Sequence, residues 1–202
     1  MGKTFSYLRS NDLIYGPAIK AYMMGEAPPA FDLLYWNGDG TNLPGKMAVE
    51  YIRHLCQEDG FAKGVFPVFG KPVSLEGVKV PLCAIACETD HIAHWKGSFN
   101  GIRQMGSKDK TFILSESGHI AGIINPPSKG KYGHYTNDGP VSGAPDDWMK
   151  AATFNAGSWW PRWGAWLDER SGAQIPARQI GDSGHPELCP APGTYVVSKP
   201  AD

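Results

Sequence analysis

The stretch Leu82-Cys83-Ala84-Ile85-Ala86-Cys87-Glu88-Thr89-Asp90 decides the fold class. Its continuous apolar run, without polar alternation, is the pattern of a strand buried on both faces of a sheet. Beyond it Ile92, Trp95, Phe99 and Ile102 recur at helical spacing, and residues 111–115 form a second short apolar run. Strand, helix, strand is a crossover unit, and a crossover makes its two strands parallel. An α/β fold follows. The unit predicts Asp90 and His119 just past the carboxyl ends of two parallel strands, the edge where catalytic groups of open α/β sheets collect.

Either side of this unit the chain changes character. Residues 1–79 are irregular and aromatic, interrupted by Pro28-Pro29, Gly38-Asp39-Gly40 and Pro44-Gly45. Within them residues 46–59 predict a helix with Met47, Tyr51, Ile52 and Leu55 on one face and Gly60 as its stop. Residues 121–202 return to loops, with a helix expected from Asp146 towards Phe154 and a short strand at 195–197. No clean linker is visible. The chain therefore reads as a cap-like stretch over residues 1–79 joined to a core over residues 80–202.

Composition narrows the function. The formal charge of −1, from 19 basic and 20 acidic residues, offers no field to attract nucleic acid. The longest apolar runs are far too short to span a bilayer, and the N-terminus lacks a signal-peptide core. Cysteines 56, 83, 87 and 189 form no compact secreted framework, so reduced thiols in the cytoplasm are expected.

In a catalytic triad the histidine takes a proton from the nucleophile, while the acid fixes the imidazole tautomer. Acid then histidine, each after successive late strands, is the α/β-hydrolase order. Gly118 is expected to let the backbone turn tightly before His119. Spacing alone fits equally a helix-capping Asp90 and an ordinary loop histidine. A nucleophile elbow needs a glycine two residues either side of the nucleophile. The quintets with that spacing centre on Ala62, Phe99, Ile120 and Val141, none of them a nucleophile.

Cys83, Cys87, His91 and His94 are residue types that suit zinc. Both cysteines, however, sit in the apolar run, where free cysteine behaves as a small hydrophobe, and they are read as core thiols. His54, His134 and His185 have no partner at informative spacing, and surface or core roles are expected for them. No metal or cofactor is called for. Four of the seven tryptophans fall between Trp159 and Trp166. They could bind a polymer or acyl chain, but Trp159, Trp163 and Trp166 are spaced for one face of a closing helix, with Pro161 in its first turn.

Longer strings carry a resemblance. Phe31-Asp32-Leu33-Leu34-Tyr35-Trp36-Asn37-Gly38-Asp39-Gly40, Asp90-His91-Ile92, Ser117-Gly118-His119-Ile120-Ala121-Gly122 and Gly157-Ser158-Trp159-Trp160-Pro161 resemble signatures of the polyhydroxyalkanoate synthases. The similarity runs from Phe5 to Gly193 and is greatest to the single-subunit type. It implies the C-terminal portion of an α/β-hydrolase fold, its late parallel strands and helices, with the later half of a cap over residues 1–79.

The resemblance also implies a cysteine-based triad. Asp90 matches the family's aspartate and His119 its histidine, the base that generates the thiolate. Asp90 either orients His119 or activates the substrate hydroxyl. The substrate implied is an (R)-3-hydroxyacyl-CoA, with the growing polyester held covalently, a homodimer formed through the cap, and a cytoplasmic location at the granule surface. The cysteine elbow and the early strands have no counterpart here. The chain is expected to be a C-terminal part retaining the last two strands of the core, inactive alone and prone to aggregate. A hydrolase of the same fold (thioesterase- or depolymerase-like) and a non-catalytic interaction module are the alternatives.

Overall fold

The computed structural model describes residues 10–27, 40, 42–195 and 198. Most of the aromatic signature around residues 31–41, the Phe5 string, and residues 196 and 197 of the expected terminal strand lie outside them. The described chain divides into two compact units, Met1–Val78 and Lys79–Asp202.

The first unit holds two helical segments, α1 (residues 11–23), wound wider than an α-helix at both ends, and α2 (residues 45–57), wound wider over its second half, Tyr51–Gln57. A hairpin follows, β1 (Phe66–Val68) paired antiparallel with β2 (Lys71–Val73). Leu55, Phe61, Phe66 and Val73 line an open apolar hollow between hairpin and helix. The helix predicted over residues 46–59 is present, but its expected apolar face is largely uncovered: Met47, Tyr51 and Ile52 are each more than half exposed. His54, expected to lack a partner, bonds Glu58 one turn away at 2.7 Å.

The second unit is built on a four-stranded sheet in the order β3 (Leu82–Cys87), β4 (Lys110–Ser115), β5 (His134–Thr136), β6 (Thr153–Asn155). β3 and β4 are parallel, in register from Leu82 opposite Lys110 to Cys87 opposite Ser115. Helix α3 (Trp95–Gln104) makes the crossover. Apolar run, amphipathic helix, apolar run thus fold as their periods dictate.

Two expectations fail here. The core was expected to retain only two strands, yet β5 and β6 add two short antiparallel ones. The helix expected from Asp146 to Phe154 is instead α4 (Pro145–Lys150), and Thr153–Asn155 is strand. Phe154 there packs on Tyr135 across the sheet at 5.2 Å, so cross-strand pairing overrides the helical pattern.

Alternation along β4 sends Phe112 and Leu114 to one face and Ile113 and Ser115 to the other. On the first face Phe112, Leu114 and Ala86 join Trp95 and Phe99 of α3, Val141, and Trp148 of α4 in one cluster. Phe99–Phe112 and Phe112–Trp148 meet edge-on at 5.2 and 5.1 Å. Each such pair adds about 0.5–1.5 kcal/mol to what burial alone contributes. Ile92, expected on the face of α3, precedes the helix and is half exposed. A salt bridge from Lys96 to Asp146 at 2.6 Å joins α3 to α4 at the surface. Helix α5 (Trp160–Asp168) begins with Pro161 in its first turn, as expected, while Trp159, expected on its face, immediately precedes it.

Candidate active site

Asp90 and His119 meet. β3 ends at Cys87, the pairing continues through Glu88 N–H to Ser115 O at 2.9 Å and Thr89 N–H to Ser117 O at 3.1 Å, and the two loops diverge there. His119 Nδ1 then lies 2.9 Å from Asp90 Oδ2. The other carboxylate oxygen accepts from the amides of Ile92 at 2.8 Å and Ala93 at 2.9 Å. Asp90 thus closes the turn after β3 with one carboxylate oxygen and meets the histidine with the other. It does not cap α3, where His94 accepts from the Lys96 amide instead.

These contacts decide the charge on Asp90. Burial, to 8% exposure, pushes its carboxyl up. The Ala93 amide, His119 and the Ile92 amide outweigh that and hold it below the ordinary carboxylate range. An ionised Asp90 fixes Nδ1 of His119 as the protonated nitrogen and leaves Nε2 to accept a proton. The imidazole is 43% exposed, and Nε2 makes no hydrogen bond among the described residues.

The loop that presents His119 is shaped by its neighbours. Gly118 was expected to provide the tight turn, but the left-handed conformation falls on Ser117, at φ 76°. Likewise Asp59, not Gly60, takes φ 53° after α2. Gly122 is the glycine the loop requires. A Cβ there would lie 2.5 Å from Glu116 O and 2.7 Å from Cys87 Sγ. Gly122 O accepts from Ser115 Oγ and from Trp159 Nε1, each at 2.9 Å. Beside Ser117, the phenol of Tyr132 is held below its ordinary value by contacts with Lys131 and then with Ser117.

Of the two β3 cysteines, Cys87 is buried in the core and Cys83 is partly buried. Burial pushes both Cys83 and Cys87 up, with the Asp90 charge adding to the effect at Cys87. Cys87 Sγ is directed to the His119 carbonyl at 3.8 Å, not to its imidazole. Among the described residues no three of His, Cys, Asp and Glu are grouped to hold a metal. No described helix is long and apolar enough to cross a membrane. A cavity under α5 is lined by Thr111, Ile113, Arg162 and Trp166, and its lining includes neither Asp90 nor His119. Sequence reasoning missed the parts played by Ser115, Gly122 and the Trp159 indole N–H, because a hydrogen bond to a distant loop carbonyl leaves no spacing to read.

No family profile matches the chain. Among individual proteins it is 44% identical over 200 residues to the poly(3-hydroxyalkanoate) polymerase of Methylorubrum extorquens, covering 98% of this chain and 33% of that protein. It is 41% identical over 201 residues to the poly(3-hydroxyalkanoate) polymerase subunit PhaC of Cupriavidus necator, covering 98% and 34%. To poly(3-hydroxyalkanoate) polymerase 2 of Ectopseudomonas oleovorans it is 36% identical, covering 98% and 35%. Over nearly all of its own length, therefore, the chain is homologous to the poly(3-hydroxyalkanoate) polymerases, and it spans about a third of the length of these curated relatives.

Proposed function

We propose that the chain is the C-terminal part of a poly(3-hydroxyalkanoate) polymerase of α/β-hydrolase fold, carrying the acid and the base of a cysteine-dependent triad. The observation that carries this reading is the 2.9 Å contact between Asp90 Oδ2 and His119 Nδ1 at the end of two parallel strands. Homology along 98% of the chain supplies the reaction class.

His119 Nε2 takes the proton from a cysteine supplied by the rest of the polymerase. The thiolate attacks the carbonyl carbon of an (R)-3-hydroxyacyl-CoA, the carbon–sulfur bond to CoA breaks, and His119 gives the proton to the departing CoA thiolate. The 3-hydroxyl of another unit then attacks the acyl-cysteine, losing its proton to His119; the acyl–sulfur bond breaks, His119 hands the proton to the released cysteine, and the ester is one unit longer. Asp90 orients the imidazole and remains a carboxylate. Its two oxygens are already engaged by His119 and by the two amides, and its depressed pKa makes it a poor base towards the substrate hydroxyl.

In the same reading residues 1–79 are the later half of a cap that carries dimer contacts, residues 80–202 belong to the catalytic core, and the protein works in the cytoplasm at the granule surface. The chain is inactive without its cysteine.

The test is incubation of the chain with 3-hydroxybutyryl-CoA, alone and co-expressed with the preceding two thirds of the Methylorubrum extorquens polymerase, following CoA release and polymer. Turnover only in the combined sample is expected. Robust turnover by the chain alone would refute the proposal, and free hydroxy acid without polymer would mark a hydrolase.

A further inference from the structure

Asp90 holds the ring of His119 from the side of β3, but a half-exposed imidazole with one hydrogen bond also needs its backbone fixed. Gly122 and Ile123 lie three and four residues beyond His119, in a turn closed by Gly122 N–H to Gly118 O at 3.2 Å and Ile124 N–H to Ile120 O at 2.9 Å. An indole holds each of their carbonyls: Trp159 Nε1 donates to Gly122 O at 2.9 Å, and Trp160 Nε1 donates to Ile123 O at 3.0 Å. Ser115 Oγ, at the end of β4, shares the first acceptor at 2.9 Å.

Ser115 is fully buried and Trp159 is 6% exposed, so water cannot replace these donors. The indoles are themselves held, with the Trp163 ring 5.8 Å and the Trp160 ring 6.4 Å from that of Trp159. The turn is thus pinned to the strand end on one side and to the start of α5 on the other.

We infer that Trp159, seconded by Trp160, is a positioning residue for His119, acting through the Gly122 and Ile123 carbonyls. The inference rests on the reading of His119 as the base. The donor matters here, not only the ring. Trp159→Phe keeps an aromatic ring and removes the N–H, whereas a residue that merely fills space would tolerate the change.

The experiment uses the full chain with 15N-labelled histidine and reads the His119 Nδ1–H resonance, assigned by its loss in His119→Gln. Wild type should show this proton protected by Asp90. In Trp159→Phe its exchange with solvent should quicken about tenfold, the worth of one hydrogen bond. Trp148→Phe, which alters the core on the opposite sheet face, should leave it unchanged. Ser115→Ala weakens the same carbonyl with almost no change of volume, so it decides the matter if Trp159→Phe does not fold. Reconstituted with the rest of the polymerase, Trp159→Phe should lower kcat by about 10²-fold, the scale of a small misplacement of a catalytic group. KM should stay within about twofold.

Unchanged Nδ1–H exchange in Trp159→Phe, or in Ser115→Ala where the first variant is unfolded, overturns the inference. Absence of the protected proton from wild type instead removes the Asp90–His119 reading, and this inference with it.

Discussion

Replacing Gly122 by alanine places a methyl group where the structure has no room. Its Cβ would sit 2.5 Å from Glu116 O, 2.7 Å from Cys87 Sγ and 3.2 Å from Ser115 Oγ. None of these can swing away: the first is backbone, and the other two belong to buried residues at the strand ends. Regaining an ordinary separation of about 3.5 Å requires the turn to withdraw by about 1 Å. Gly122 O then leaves Ser115 Oγ and Trp159 Nε1, two buried donors with no other acceptor among the described residues. Overpacking costs about 1–3 kcal/mol, and each donor left unsatisfied costs about 1–3 kcal/mol. Reduced entropy of the unfolded chain returns about 0.4–1 kcal/mol. A net loss of about 2–4 kcal/mol is expected, allowing for partial relaxation of the turn. Urea unfolding followed by tryptophan fluorescence should show the midpoint falling by about 1–2 M. Gly97→Ala and Gly101→Ala supply the contrast. Both lie in α3 with nothing within 4 Å of the added Cβ, and each should stabilise by about 0.5–1 kcal/mol. A Gly122→Ala midpoint equal to that of wild type would refute the packing argument.

Three further predictions concern the core, the dyad and the thiols. Phe112→Ala removes the side chain that meets both Phe99 and Trp148 and should cost about 3–5 kcal/mol in the same unfolding assay. Because the Asp90 carboxyl is held below its ordinary value, its contribution to stability is complete above about pH 4, the unfolded-state value. That contribution is lost as pH falls through the lower folded-state value, so the stability difference between wild type and Asp90→Asn should shrink in acid, and a difference that grows there would contradict the assignment. With a disulfide-exchange reagent at neutral pH, the exposed Cys56 and Cys189 should react quickly, and Cys83 and Cys87, whose thiols burial pushes up, slowly. Fast modification of Cys87 would contradict its place under the His119 loop.

How much of this was legible in the sequence depended on the source of each feature. Leu82–Cys87 was legible as a strand from its apolar run, although β3 lies at the sheet edge and only Ala86 and Cys87 in it are buried, and the crossover helix was legible because Trp95, Phe99 and Ile102 face one core. Asp90 and His119 followed from the strand ends. β5 and β6 were not legible, since three-residue strands such as His134–Thr136 carry too few residues to show a period. The pattern from Asp146 onward favoured a longer helix, and only the partner strand makes Thr153–Asn155 extended. The left-handed turn fell on Ser117 because tertiary contacts, here Thr89 N–H on Ser117 O, can impose a conformation that local propensity would give to glycine. The tryptophan cluster was legible as a packed helix start. The pairing of its indole N–H groups with the His119 loop was not, since 37 residues separate donor from acceptor.

The most direct test of the account substitutes this chain for the corresponding third of the Methylorubrum extorquens polymerase and measures CoA release from 3-hydroxybutyryl-CoA, with and without His119→Ala. The account predicts polymerising turnover by the chimera and a loss of about 10³-fold or more in the variant, as for removal of a triad base. A chimera whose His119→Ala form keeps its activity within about tenfold would contradict it.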